Sequence, residues 1–346
     1  MANIRDISLA TFNLYNLQLP GESWRGTPYT EPEYALKIAW SAQALRLLDA
    51  DVVVFQELWS PQCLRDVFRA AQLDGDYDLV FLREEGWYDI AVALAVRRPW
   101  TVRARQNHKA FPDGFVLKKR AVTQAGNEDP DDDIEVLIDE FSRTVIQASI
   151  AHERAQDLPA IELFATHLKS KLPTRLDAEE GARPEVRGHS QALGAALSTI
   201  RRTAEAAALR TILNDVMRDT DVPVAVVGDF NDSPNSNTLA ILTEQPSFRF
   251  YADSRAGRTT DRGLYVAGAL QQLRSFRDVN YTHVYKGEHD SLDHVLVSEQ
   301  FYDHSDKHLW TFREMRCWND HLAEQHDPGA TDHGLVRARF DYNRAG

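Results

Sequence analysis

Residues 222–232 read VPVAVVGDFND, an almost unbroken apolar run that ends in glycine, aspartate, phenylalanine, asparagine and aspartate. An apolar run with no polar alternation fits a strand buried on both faces, with other layers packed on each side of its sheet. Gly-Asp after such a strand is ordinary turn chemistry, but a turn does not need the Asn231 and Asp232 that follow. The segment therefore predicts a central buried strand with chemically capable groups at its carboxyl end.

Working outward, the same form recurs. SLATFNL (8–14), DVVVFQE (51–57), RTVIQASIA (143–151), IELFATHL (161–168), YTHVYK (281–286), SLDHVLVS (291–298) and LVRARF (335–340) read as strands. YDLVF (77–81) and DIAVALAV (89–96) read as a strand pair joined by the turn-like REEGWY. Helices are interspersed. Thr30 caps a helix with Pro32 at its second position, followed by YALKIAWSAQALRLLDA with apolar residues at helical spacing. Ser60-Pro61 starts a second helix, and an alanine-rich stretch at about 190–218 predicts a long third one. The polar stretch KSKLPTRLDAEEGARPEVRG leads into that long helix, and the acidic run Asp131 to Asp133 reads as a solvated loop. Strands with helices between them predict a layered α/β architecture. The reading is one domain over 1–346, with a long excursion or β-arm at about 103–143 and an insertion at 302–330.

The 346 residues are 43% hydrophobic and 26% charged, the balance of an ordinary globular protein. A net charge of -13 argues against coating duplex DNA by charge alone, since that depends on Lys and Arg displacing counterions. It leaves open a hydrolase with a local positive patch or a bound cation. Two cysteines, Cys63 and Cys317, form no CxxC, so neither a disulfide framework nor a zinc knuckle is expected. The start MANIRDISLATF has no apolar h-region and no run is long enough to span a bilayer. The expectation is a reduced, cytoplasmic protein without stable membrane association, although a leader already removed would leave the same start.

Polar residues gather at strand ends, where ligand sites of open α/β sheets lie. Asn13 and Asn16 close the first strand, Glu57 the second, and His167, Lys169 and Ser170 follow LFAT. Asp229, Asn231 and Asp232 end the central run, Asp293 and His294 lie in SLDHVLVS, and Asp332 and His333 precede the last strand. Carboxylates, amides and imidazoles without thiols suit Mg²⁺ or Mn²⁺.

FN (12–13), FQE (55–57), THLKS (166–170), GDFND (228–232), SLDHVLVS (291–298) and TDHG (331–334), in this order, resemble the motif series of the endonuclease/exonuclease/phosphatase superfamily, which includes DNase I. The resemblance runs from residue 9 to residue 340. It implies a DNase I-like four-layer α/β sandwich, two packed and mostly antiparallel β-sheets flanked by helices, with the site at the top. It also implies roles. Glu57 would be the principal metal ligand, with Asn13 close to the metal or the phosphate. Asp229 would orient or deprotonate the attacking water, and Asn231 would hold the phosphate, with Lys169 as a further phosphate contact. Of Asp293 and Asp332, which flank His333, one would orient its imidazole, and Asp332 would reach the metal through water. His333 would act as general base or stabilise the pentacovalent transition state, and His167 would face the leaving oxygen. Abasic-site enzymes of the superfamily carry an acidic metal ligand where this chain has Tyr15, which argues against that specificity.

The function expected is metal-dependent phosphodiester hydrolysis by water, with nucleic acid as substrate. The alternatives are a phosphoesterase for a phospholipid headgroup, inositol phosphate or nucleotide, and a catalytically dead binding module. Trp87-Tyr88 and the stretch Trp310 to Trp318 are the membrane-contact candidates. Lys169, Lys171, Arg175, Arg183 and Arg187 are candidates for lining a phosphate-backbone groove. His283, His289, His304, His308, His321 and His326 lack ligand spacing and read as surface or core residues, and Arg201-Arg202 reads as a solvated helix face.

Overall fold

Side-chain alternation along the first strand, β1 (Ile7–Leu17), accounts for the layers. Ile7 and Leu9 enter a core between two sheets, whereas Ala10, Phe12 and Leu14 enter a second core beneath helices. The computed structural model describes residues 4–23, 26–83, 90–122, 128–249, 251–275, 280–322 and 329–343. Numbered in chain order, one sheet runs β15 (Trp310–Trp318), β16 (Leu335–Tyr342), β1, β2 (Val52–Leu58), β4 (Ala91–Arg97), β3 (Tyr77–Phe81). The other runs β11 (Tyr265–Val266), β14 (Asp293–Val297), β10 (Val224–Asp229), β9 (Ile161–His167), β8 (Glu140–His152), β5 (Trp100–Ala110). Among the described residues only β1–β2 and β9–β10 pair in parallel, at the middle of each sheet.

Helices α1 (Glu31–Leu48) and α2 (Pro61–Ala71) cover the first sheet. Thr30 caps α1 and Ser60 caps α2, as the sequence predicts, and Glu33 completes a reciprocal capping box with Thr30. Helices α5 (Ser190–Met217) and α6 (Asn237–Thr243) cover the second sheet. The chain also forms short helices α3 (Ala178–Ala182) and α4 (Pro184–Arg187), and α7 (Ala267–Arg274) against β14. The layers are therefore helix, sheet, sheet, helix. The continuous apolar run of β10 has its reason here: Ala225 and Val227 face the inter-sheet core, and Val224 and Val226 face the helices. Each of these buried valines contributes about 1.5–3 kcal/mol. Among the described residues no helix is long and apolar enough to cross a membrane.

Gly228 is required by this packing. It sits at φ 151°, and a Cβ there would collide with the carbonyl oxygen of Thr166 on β9.

Several expectations need correction. Residues 103–110 are no excursion: they continue β5 as an edge strand paired to β8. Their polar character comes from exposure on an edge, and only the connection after it, with the hairpin β6 (Leu117–Val122) and β7 (Glu128–Val136), leaves the sheet. Asp131 to Asp133 lie in β7, a strand of that hairpin and not a loop; their side chains are outside the described residues. Within 302–330, Trp310–Trp318 is the edge strand β15, whose alternation is broken by an irregularity between Phe312 and Glu314. YTHVYK supplies only the short strand β12 (His283–Tyr285), paired with β13 (Glu288–Asp290). Arg202 is buried and ion-paired, not solvated. Trp87-Tyr88 and His326 lie outside the described residues.

Candidate active site

The strand parity that builds the inter-sheet core also aims the site. Counting on from the core residues Leu9, Ala165 and Val227 in steps of two reaches Asn13, His167 and Asp229, and counting back from Val295 reaches Asp293. All four are buried at the same end of the sandwich. Glu57 breaks this rule. By parity it belongs with Val53 and Phe55 on the helix side, but the β2 register shifts between Phe55 and Leu58 and Glu57 takes φ 59°. That irregularity turns its carboxylate toward the cluster, where Asn16 N–H donates to Oε2 at 3.0 Å. Tyr15, Asn16, Glu57 and Asn231 all have positive φ, a strain that gathers at functional sites.

Asp229 is the hub. Its Oδ2 accepts from Asn13 Nδ2 and from Asn231 Nδ2, both at 3.2 Å, and its Oδ1 accepts from Asn231 N–H at 2.7 Å. Burial, and then the neighbouring Asp293 carboxylate, push the Asp229 carboxyl up to about 7, against the opposing pull of His333. His333 Nδ1 meets Asp293 Oδ2 at 2.8 Å, and its Nε2 is 4.0 Å from both Asp229 Oδ2 and Asp332 Oδ1. Burial alone would lower the imidazole; the carboxylates of Asp293, Asp229 and Asp332 outweigh it and hold His333 protonated well above the usual range. His167 Nε2 stands 3.4 Å from Asp229 Oδ2. Burial, then the cations Arg143 and His333, lower His167 well below the usual range, so this contact joins a neutral imidazole to the aspartate and is no ion pair. Asn231 Nδ2 also donates to Leu168 O at 3.0 Å, and Thr331 Oγ1 ties the last loop to Asn13 O at 2.7 Å.

The cluster fits a divalent cation. Asp293 Oδ1 and Asp332 Oδ1 are buried without a hydrogen-bond partner, and burial pushes the Glu57 carboxyl up. Two groups, Asp229–Asp293–His333 and His283–Asp332–His333, each bring their ligand atoms within 4.8 Å of one another. The first group brings two carboxylates, the hard oxygen donors that Mg²⁺ or Mn²⁺ prefer, and the second one carboxylate with two imidazoles.

The structure thus brings together Asn13, Glu57, His167, Asp229, Asn231, Asp293, Asp332 and His333. Lys169 stands beside them, its Nζ 3.5 Å from Ser170 Oγ and its ammonium lining a neighbouring cleft. His283, read as surface or core, has its ring 5.2 Å from that of His333, across a backbone bridge. Arg143 and Glu205 were not singled out in the sequence. Arg143 NH1 donates to Leu168 O at 3.2 Å; buried Glu205 accepts from the backbone N–H groups of Ser142 and Lys169 at 2.8 and 2.7 Å, holding the ends of β8 and β9 together. A larger cleft of about 830 Å³ lies at the other end of the strands, but Arg97, Arg313 and Arg339 there are already paired with carboxylates.

A sandwich of two mixed sheets with carboxylates, amides and imidazoles at one end defines a class of phosphoester hydrolases. The chain belongs to the endonuclease/exonuclease/phosphatase family, whose model matches residues 10–333. Solved structures share its fold. An endonuclease/exonuclease/phosphatase from Bacteroides vulgatus superposes with TM-score 0.54 at 14% identity, covering 98% of this chain and 99% of that one. The Bacteroides thetaiotaomicron mannosyl-6-phosphatase Bt3783 gives 0.53 at 14%, over 96% and 99%. D. rerio TDP2 complexed with a single-strand DNA product gives 0.52 at 14%, over 97% and 99%. No curated protein matches the chain.

Proposed function

We propose that this protein is a divalent-metal-dependent phosphodiesterase that cuts a polynucleotide by direct attack of water. The observation that carries the reading is the buried Asp293–His333 pair at 2.8 Å, with the imidazole Nε2 directed between Asp229 and Asp332. When bound, Mg²⁺ or Mn²⁺ at Glu57, Asp332 and their neighbours would polarise the phosphoryl oxygen. The protein's own groups divide the rest. Asn13, one of whose Nδ2 protons is taken by Asp229, offers the other to the phosphate, while Asn231, whose Nδ2 protons go to Leu168 O and Asp229 Oδ2, holds the aspartate in place. Asp229, raised toward neutrality, accepts the proton of the attacking water as its oxygen bonds to phosphorus. The charged His333 stabilises the negative charge that accumulates on the phosphoryl oxygens. The P–O ester bond breaks as the new one forms and the departing oxygen takes up a proton from solvent, while neutral His167, 3.4 Å from Asp229 Oδ2, holds that carboxylate in place. No serine or cysteine nucleophile is needed.

Nucleic acid is favoured as substrate by Arg143, Lys169 and Arg175 in a cleft beside the site, which among the described residues have no carboxylate within ion-pair distance, and by a DNA-product complex among the fold neighbours. The mannosyl-6-phosphatase neighbour makes a small phosphoester the second reading. Supercoiled plasmid, single-stranded DNA and RNA are incubated with the protein in Mg²⁺, Mn²⁺ or EDTA, beside a D229A/H333A variant. Metal-dependent cutting lost in the variant supports the nuclease. Intact polymers with hydrolysis of a chromogenic phosphodiester move the substrate to a small molecule, and no turnover at all overturns the enzyme reading.

A further inference from the structure

Beside the catalytic cluster lies a cleft of about 620 Å³ lined by Arg143, Lys169, Ser170, Thr174 and Arg175, among others. Several nearby cations are neutralised: Arg202 and Lys171 pair with Asp232 at 3.1 and 3.5 Å, Lys171 also with Asp290 at 2.8 Å, and Arg201 with Glu205 at 3.4 Å. Those of the cleft are not. Among the described residues Arg143, Lys169 and Arg175 have no carboxylate within ion-pair distance. Arg143 donates only to the neutral Leu168 O and Ser142 Oγ, and Lys169 only to Ser170 Oγ. Glu205 is near, but its two oxygens accept from the backbone of Ser142 and Lys169. Burial and Arg143 together push the Lys169 ammonium below its usual range. In a chain of net charge -13, the half-buried Arg143 and Lys169, with the exposed Arg175 beside them, are like charges without an ion-pair partner and form a site that an anion would complete.

The cleft is also built. Thr174 N–H donates to Ser198 Oγ at 3.1 Å and to Gly194 O at 3.0 Å, and Ser198 Oγ donates to Leu172 O at 2.7 Å. Ser198 is fully buried, and a Cβ at Gly194 would strike the Thr174 carbonyl oxygen, so the loop is seated directly on α5. One atom joins cleft to reaction centre: Leu168 O accepts from Arg143 NH1 at 3.2 Å and from Asn231 Nδ2 at 3.0 Å.

We propose that this cleft is a second phosphate subsite, which holds the phosphodiester next to the scissile one on a polynucleotide strand. The proposal deepens the phosphodiesterase reading and rests on it for the place of the scissile phosphate. A strand is then gripped at two consecutive phosphates, and a substrate with one phosphate loses the second grip.

The test is calorimetric binding of thymidine 3′,5′-bisphosphate and of thymidine 5′-monophosphate to the full chain with Mg²⁺, at one fixed salt concentration. The bisphosphate is expected to bind about tenfold more tightly, the scale of one charge-assisted contact. K169Q/R175A should bring the ratio close to one. R218A, which removes a cation just past the far end of α5, should leave the ratio in place and so separates the cleft from general charge attraction. Equal affinities for the two ligands, or a ratio that survives in K169Q/R175A, overturn the subsite, while the nuclease reading still stands or falls on polynucleotide cutting. A ratio lost only in K169Q/R175A, with no polymer cut, upholds the anion subsite and rejects the nuclease.

Discussion

Asp293 and His333, forty residues apart in sequence, meet through Oδ2 and Nδ1 at 2.8 Å in a buried contact. One carboxylate oxygen is spent on the imidazole and the other, Oδ1, has no partner. The pair fixes which ring nitrogen points at Asp229, and it keeps the ring charged where burial would discharge it.

Asp293→Asn keeps the shape and removes the charge. The His333 imidazole should then titrate lower, read by NMR of the ring protons in metal-free protein. Turnover should fall by about 10²–10³-fold, the usual range for loss of one group that stabilises developing charge. Unchanged turnover with a lowered His333 titration would detach the charged imidazole from catalysis.

Glu57 is pushed toward its neutral form by burial, which a divalent cation would reverse. Adding Mg²⁺ or Mn²⁺ to EDTA-stripped protein should raise the thermal midpoint, by about 2.7 kcal/mol in stability at a hundredfold excess over Kd. Glu57→Gln, neutral and of the same shape, should fold as well without metal and lose most of that shift. An equal shift in both proteins would place the ion elsewhere.

Much of this was legible because a buried strand advertises itself and its last polar residues inherit its parity. VAVVGDFND announces β10, and Asn13, His167, Asp229 and Asp293 follow from stepping by two. Long-range pairings were not legible. Glu205 belongs to an alanine-rich helix, and nothing local ties it to Ser142, sixty-three positions earlier. Arg202 looked like a solvated face because its partner Asp232 arrives from another element. His283 gained its place only when a short hairpin bridged it to His333. Strand β15 escaped because one bulge breaks its period of two.

Glu205 is buried and accepts two backbone N–H groups that otherwise lack partners at the ends of β8 and β9. Glu205→Ala should cost about 2–6 kcal/mol in urea unfolding, since each of the two stranded donors costs about 1–3. Glu205→Gln keeps one acceptor oxygen and should fall between. A loss under about 1 kcal/mol in the alanine variant would mean that water replaces the carboxylate.

His294 is buried against Phe230, with Nε2 3.0 Å from the carbonyl oxygen of Asp232, and burial lowers its titration below the ordinary value of 6.5. Below about pH 6.5 the unfolded chain takes up a proton that the native imidazole refuses. The stability contributed by this group is therefore complete above that pH and is lost as pH falls, at no more than about 1.4 kcal/mol per pH unit. Asp229 works the other way in metal-free protein. With its carboxyl raised to about 7, the native state holds a proton that the unfolded chain has released, so its contribution grows as pH falls through the same window. The total curve therefore mixes opposite slopes, and the diagnostic is a comparison. Urea midpoints of wild type and His294→Gln at about pH 7.5 and 5.5, either side of the ordinary histidine value, should show the variant less stable at both, yet losing less on acidification. Parallel losses would show that His294 takes up its proton in the folded state.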